Sequence, residues 1–310
     1  MEFEFELKRD RAFDVVGFGT NAVDYLITVP EYPKFDSKVE LVDYKQFAGG
    51  EIATTMTGLT RLGLKTSYVG KFGDDAAGEF GLSSLVGEGV DTRFSKLVPG
   101  AKTQIAFIII DERNGERTII WKRDEALSFS EDEVSEEIAT SGSILHFTPH
   151  DSAACLKLAR IAKDEGTLVS IDVDRILDGV DQLLPFVDIL ICSREFTRNF
   201  TGIEDPHSAL VELNNRFGSV VTGTTLGDKG SLVLYNGEFI RSDGYQVPGG
   251  CKDTTGAGDS FRAGLLFGII DGRSLEESCR SANAVAALKC REVGARTALP
   301  DLTELDSFLA

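Results

Sequence analysis

The chain has 310 residues, 42% of them hydrophobic, with 32 basic against 50 acidic side chains and a formal charge of −18. That is enough for one large or two smaller cored domains. It argues against nucleic-acid or anionic-membrane binding, because phosphate backbones demand a basic face, so any phosphate site must be local.

Residues 13–18 read as a buried strand. The strand runs into Gly17-Phe18-Gly19-Thr20-Asn21-Ala22, a GxGxxA spelling that taken alone suggests a dinucleotide turn. The sequel is wrong for that turn, because residues 23–30 read as a second extended segment rather than a helix. Asn21 and Asp24 are short polar residues at a strand end, the edge of an α/β sheet where ligands sit. Residues 38–47 are strand-like and break at Gly49-Gly50, and a helix over 51–62 stops at Gly63. A double glycine there makes either a tight turn or a place where backbone approaches a ligand. Strand 66–72 precedes a turn and a helix to about residue 88. Residues 101–111 form an apolar strand, Asn114-Gly115 signals a hairpin, and 117–122 return. Segments 24–29, 38–47, 103–110 and 117–122 together suggest a small separate sheet.

Further on, strands are expected at 143–147, 168–173, 188–192, 219–222 and 231–235, and helices at 152–164, 206–217 and 275–289. Such alternation predicts a parallel sheet with helices on both faces. The five cysteines, Cys155, Cys192, Cys251, Cys279 and Cys290, show no CxxC spacing. Reduced thiols in a cytoplasmic protein are the simple reading. Pro149 separates His146 from His150 and argues against a helical metal pair. Residues 1–10 lack a signal-peptide core, and no apolar run approaches the ~20 residues of a bilayer span.

One stretch organises the rest: Asp253-Thr254-Thr255-Gly256-Ala257-Gly258-Asp259-Ser260-Phe261. Two acids flank hydroxyls and small residues, and an apolar helical run follows. Helix-start N–H groups and the positive helix end favour an anion. A carboxylate beside bound phosphate is repelled by it, so Asp259 suggests a task such as taking a proton from an attacking hydroxyl. The plain alternative is a glycine-rich turn with an acidic residue at a helix start.

With Phe47-Ala48-Gly49-Gly50, Leu59 to Gly63 and Gly70 to Gly78 in the N-terminal part and the 253–261 stretch near the C-terminus, the chain resembles the ribokinase-like (PfkB) carbohydrate kinases over nearly its whole length. The resemblance implies one domain over 1–310. Its fold would be a three-layer α/β sandwich with a mostly parallel central sheet, plus a discontinuous β lid from about 24–47 and 101–123. It implies ATP and Mg2+ as cofactors and a sugar or related alcohol as acceptor. Asp259 would be the catalytic base and Gly256, Ala257 and Gly258 the anion hole. Asn21, Asp24, Gly49 and Gly50 match acceptor positions, and Thr222, Thr225, Gly227 and Asn283 match the nucleotide region. Asp253 and Thr255 match a monovalent-cation (K+) site. A homodimer through the lid is expected, as in some relatives.

Two positions depart from the family pattern. The usual Asn-x-x-Glu reads Cys192-Ser193-Arg194-Glu195, which keeps Glu195 as a magnesium-water ligand and replaces the Asn by a poor hard-metal partner. The usual Asn after the double glycine is Thr54, which the resemblance keeps as an acceptor-binding residue, with a shorter reach. Together with residues 145–151 this leans toward ketohexokinase-like members and a ketose such as fructose. Lys45, Arg117, Lys122 and Arg123 keep a sugar phosphate open. A nucleoside kinase and a non-catalytic sugar- or nucleotide-binding protein are the other readings, and a nicotinamide-dependent oxidoreductase rests on Gly17 to Ala22 alone.

Overall fold

Near-continuous apolar runs make strands that are buried on both faces, and these runs alternate along the chain with helical ones. The computed structural model describes residues 7–113 and 117–310. In chain order it contains β1 (Phe13–Phe18), β2 (Ala22–Val29), β3 (Asp43–Gly49), α1 (Glu51–Arg61), β4 (Thr66–Val69), β5 (Lys71–Gly73), α2 (Ala76–Gly87), β6 (Lys96–Val98), β7 (Ile105–Asp111) and β8 (Arg117–Lys122). Next come α3 (Glu136–Thr140), β9 (Gly142–Phe147), α4 (Ser152–Asp164), β10 (Leu168–Val173), α5 (Val180–Leu183), β11 (Ile189–Ser193), α6 (Arg194–Thr201) and α7 (Pro206–Phe217). The chain closes with β12 (Val221–Thr225), β13 (Ser231–Tyr235), β14 (Glu238–Ser242), α8 (Ala257–Asp271), α9 (Leu275–Lys289) and α10 (Leu302–Leu309).

The main sheet runs β14-β13-β12-β11-β10-β9-β1-β4. It is parallel from β12 to β4, with β13 and β14 antiparallel at one edge. Alternate residues feed two cores. Val15, Ile144, Ile189, Ile191 and Val233 pack with α1, α8 and α9. Val16, Leu145, Ile171, Leu190 and Leu232 pack with α4 and α7 on the other face. The architecture is therefore the expected α/β layering. Four strands form the small separate sheet, in the order β3-β2-β7-β8.

The boundaries differ from the sequence expectation where partners differ. Residues 38–42 precede β3, because its ladder with β2 begins only at Asp43 opposite Thr28. The 66–72 segment splits at Gly70: β4 pairs with β1, whereas β5 pairs with β6. A Cβ at Gly70 would lie 2.0 Å from the Tyr68 hydroxyl, so only glycine lets the chain switch sheets there. Residues 101–104 are not strand, since Thr103 instead bonds Gly73 N through its hydroxyl. β12 begins two residues later than anticipated, α6 and β14 were not anticipated, and α8 starts at Ala257 ahead of the apolar run. The expected Asn114-Gly115 turn lies outside the described residues.

Candidate active site

The turn before α8 is built by its own acid. Asp253 Oδ1 accepts from Thr255 N at 2.9 Å, and Oδ2 accepts from Gly294 N at 2.9 Å. Gly256 takes φ +79 at the helix N-cap without any side-chain cap, and a Cβ there would press on Ala295 at 3.0 Å. The first-turn amides thus start from a bare, left-handed cap, which leaves the positive end of α8 free for a ligand.

Three cavities meet at this point. The largest, about 730 Å³, is lined by Asp24, Gly50, Glu51, Trp121, Glu195 and Asp259 among others. A second of about 200 Å³ is lined by Asp172, Asp174, Gly258, Asp259 and Arg262. A third of about 280 Å³ is largely apolar and is lined by Thr225, Gly227, Ala257, Gly258, Phe261 and Asn283. Asp259 borders the first two and Gly258 the last two, so the start of α8 is their common wall.

The electrostatics are those of crowded acids. Burial, then the Asp172 and Glu51 carboxylates, push the Asp259 carboxyl well above its ordinary range, against the pull of Arg262. Burial pushes Glu51 up to about 8, helped by Asp172 and Asp174. Asp172 rises to about 6 through burial even though Arg262 pairs with it at 2.5 Å. Arg262 also donates to Ile191 O at 3.3 Å, while its buried Nε has no hydrogen-bond partner among the described residues. Burial pushes His150 down to about 4, so it is neutral near Glu51.

Beneath the small sheet, Asp24 and Gly50 line the large cavity. Gly49 packs on the Asp24 carboxylate so closely that a Cβ would come 2.1 Å from Oδ2. Gly50 has φ +91, and a Cβ there would meet Asn21 Cα at 2.4 Å. Burial pushes Asp24 up to about 6 against the pull of Arg296.

Asn21, Thr54 and Thr222 do not line the three cavities. Asn21 does not line the large cavity. Its amide donates to Tyr68 Oη at 3.0 Å and Lys71 O at 2.9 Å, whereas Thr20, Ala22 and Asp24 line the cavity in alternation. Thr54 is fully buried on α1 and meets Arg296 Nε at 3.4 Å rather than the cavity. Thr222 is fully buried against α7, where Asn214 Nδ2 donates to its hydroxyl at 3.1 Å. Asn283 does border the third cavity, but its amide donates to Ser231 Oγ, Ser242 O and Cys279 O. Cys192 borders none of the three cavities, and burial pushes its thiol up to about 12. Glu195 follows the Ser193 cap of α6 and stands exposed on the large cavity. Thr255 Oγ1 is buried with no hydrogen-bond partner among the described residues.

Sequence reasoning missed Arg296, Arg262, Glu51 and Lys289. Arg296 is buried, bonds Gly49 O and Thr54 Oγ1, and keeps Nη1 without a hydrogen-bond partner among the described residues. Burial pulls its guanidinium down to about 10. Glu51 and Arg262 were legible as charges beside glycine motifs, but nothing local in the sequence says that they meet.

Residues 13–302 match the model of the pfkB family carbohydrate kinases. The chain belongs to this family. As a pfkB family member it is 28% identical over 298 residues to a nucleoside kinase of Methanothermobacter thermautotrophicus, covering 94% of each chain. It is 30% identical over 326 residues to probable fructokinase-4 of Arabidopsis thaliana, covering 95% of this chain and 96% of that one. Among solved structures, Arabidopsis thaliana ribokinase complexed with ribose and ATP superposes with a TM-score of 0.84 at 26% identity, covering 96% of this chain and 99% of that one. The chain is a sugar or nucleoside kinase of the pfkB family with a ribokinase-like fold. The oxidoreductase reading falls away, because Gly19 leads into β2 and not into a helix. Among the described residues no helix is long and apolar enough to cross a membrane, and all five cysteines are free.

Proposed function

We propose that this pfkB kinase transfers the γ-phosphate of ATP to a hydroxyl of a neutral sugar-like acceptor in the large cavity, with Asp259 as the base. One observation carries this reading: Asp259 stands where the acceptor cavity meets the start of α8. A base whose affinity for protons is raised by burial is matched to taking a proton from an alcohol. Asp24, with the backbone of Gly49 and Gly50, holds acceptor hydroxyls. The amides of Gly256, Ala257 and Gly258 stabilise charge developing on the transferred group without adding net positive charge. Thr225, Gly227, Ala257 and Asn283 line the nucleotide cavity, whose apolar wall suits an adenine ring.

The site's donor set fits magnesium, since Glu195 and Asp174 offer hard oxygens on the large cavity. Bound with ATP, the ion would neutralise charge on the phosphates. The sheet of β3, β2, β7 and β8 acts as a lid that excludes water, a competing acceptor. Its exposed edges, with Tyr44, Ile120 and Trp121 about half exposed, support dimerisation through the lids. Sedimentation at micromolar concentration checks that point.

A ketose such as fructose is the first acceptor to test. A nucleoside is the second, because Ile108, Ile119, Trp121 and Ile176 give the large cavity an apolar wall that a hexose does not need. A sugar phosphate has weaker support. Of the four lid cations considered for it, only Arg117 lines the cavity; Arg123 is tied to Asp151 and Lys45 to Asp43. The test is a coupled ADP assay with ATP across ketoses, aldoses, nucleosides and sugar phosphates. Acceptor-dependent ADP supports the reading; acceptor binding without ADP above background would leave a binding protein.

A further inference from the structure

The Asp253 turn has an internal partner in Lys289, outside the reacting groups. Lys289, the last residue of α9, is fully buried, a rare condition for a lysine unless it is paired. Its Nζ donates to Asp253 O at 2.8 Å and stands 3.9 Å from Asp253 Oδ2. The same segment is docked on the end of α9 by Lys252 N donating to Cys290 O at 2.9 Å. From the lid side, Arg117 donates to Thr254 Oγ1 at 2.9 Å and lies 4.0 Å from Asp253 Oδ1. A positive charge at the C-terminal end of α9 is also favoured by the helix dipole.

The family resemblance implied a monovalent cation at Asp253 and Thr255. The residues present do not fit one there. The Asp253 carbonyl and carboxylate oxygens that such an ion would take already face an ammonium. A second cation on them would sit against Lys289 in a buried setting where like charges are poorly screened. Both carboxylate oxygens also hold backbone N–H groups, of Thr255 and Gly294.

We propose that Lys289 is a tethered monovalent cation that holds the Asp253–Gly258 turn in register, making this enzyme independent of added potassium. Lys289 is a positioning residue: it touches neither substrate and acts through the turn that carries the anion hole. The proposal rests on the kinase reading, and it is tested so that the two fail separately. The wild-type chain and Lys289→Met, which keeps the hydrocarbon stem and removes the charge, are compared in KCl, NH4Cl and tetramethylammonium chloride at matched ionic strength. Both kcat/KM for ATP and the melting temperature are read.

The wild type should be indifferent to the cation in both readouts. Lys289→Met should lose about 10- to 100-fold in kcat/KM in tetramethylammonium, the scale of a slightly misplaced turn, and melt lower. K+ or NH4+ should restore both, and the larger ion should not. A wild type that needs K+, or a Lys289→Met chain as active and stable as wild type in tetramethylammonium, overturns the proposal. If Lys289→Met does not fold, the wild-type ion exchange decides. If no acceptor yields ADP in any salt, the kinase reading fails and the melting arm alone judges Lys289.

Discussion

The floor and the roof of the large cavity are built on opposite plans. The floor is charged and internally tied: Asp253 holds two backbone amides and faces Lys289, and Arg262 pairs with Asp172 beside Asp259. The roof, β3-β2-β7-β8, is largely apolar, with Phe107, Ile119, Ile120 and Trp121 all at least 40% exposed and Asp24 and Arg117 as its charged groups on the cavity. Its polar ties to the floor are few, Arg117 to Thr254 among them. Preorganised charge is what phosphoryl transfer needs at the reacting atoms, and adaptable apolar surface is what choice of acceptor needs. The contrast therefore assigns rate to the floor and selectivity to the roof.

The largest effect belongs to Asp259→Asn. On the proposed role of Asp259 as base, the change should lower kcat by about 10²–10⁴-fold while the acceptor KM stays near normal. The same change removes one crowded carboxylate, so the variant should also melt higher than wild type. A variant that loses acceptor affinity but keeps its turnover would move Asp259 out of the chemistry and blur the division between floor and roof.

Gly49→Ala should come next. The added Cβ would drive the Asp24 carboxylate from its place, and losing a hydrogen bond to a charged group costs about 1.5–3 kcal/mol. The acceptor KM should rise about 10- to 100-fold, with the KM for ATP unchanged. A rise in the ATP KM instead would show that Asp24 serves the nucleotide side.

A smaller effect separates floor from roof by pH. Glu51 rises from an ordinary 4.5 to about 8 on folding, and Asp172 rises from 3.8 to about 6. The folded chain then binds more protons than the unfolded one, so this contribution is most favourable below about pH 4 and is lost as pH rises through about 8. The roof runs the other way at Asp111, whose carboxyl is held far down by Arg113; its contribution is present above about pH 4 and fades only in strong acid. Urea melts from about pH 5 to about pH 9 should show stability falling with pH, and Glu51→Gln should flatten the decline. A Glu51→Gln chain with an unchanged slope would remove the crowded floor from the account.

The two regions also differed in how far the sequence betrayed them. The 253–259 turn was legible because its determinants are local: an acid capping the amide two residues on, a glycine that alone takes φ +79, and an apolar helix behind. The alternation of buried strands and helices was legible for the same reason. Asn21 was not, because strand faces alternate and a one-residue misjudgement points a side chain the other way; Thr222 failed similarly inside β12. Arg296, Arg262 and Lys289 were invisible as partners, since a buried cation is chosen by acids far along the chain: Lys289 meets Asp253 and Arg262 meets Asp172. The strand limits at 43 and 105 depend on where a neighbouring strand ends, which no local pattern encodes.

The smallest predicted effect tests the roof on its own. Trp121 lines the large cavity and stacks its ring under Arg175 at 5.8 Å. If the apolar wall serves a planar base, Trp121→Ala should raise the KM for a nucleoside acceptor by roughly tenfold, as loss of one base–aromatic stack costs about 1–3 kcal/mol. A ketose offers no such face, so its KM should stay within about twofold. Competition between adenosine and fructose in the ADP assay reads both at once. The kcat should be the same for each acceptor before and after the change, because Trp121 is tied to none of the floor's carboxylates. A variant that loses kcat with every acceptor would show instead that the roof positions the reacting groups, and the separation of rate from selectivity would fall.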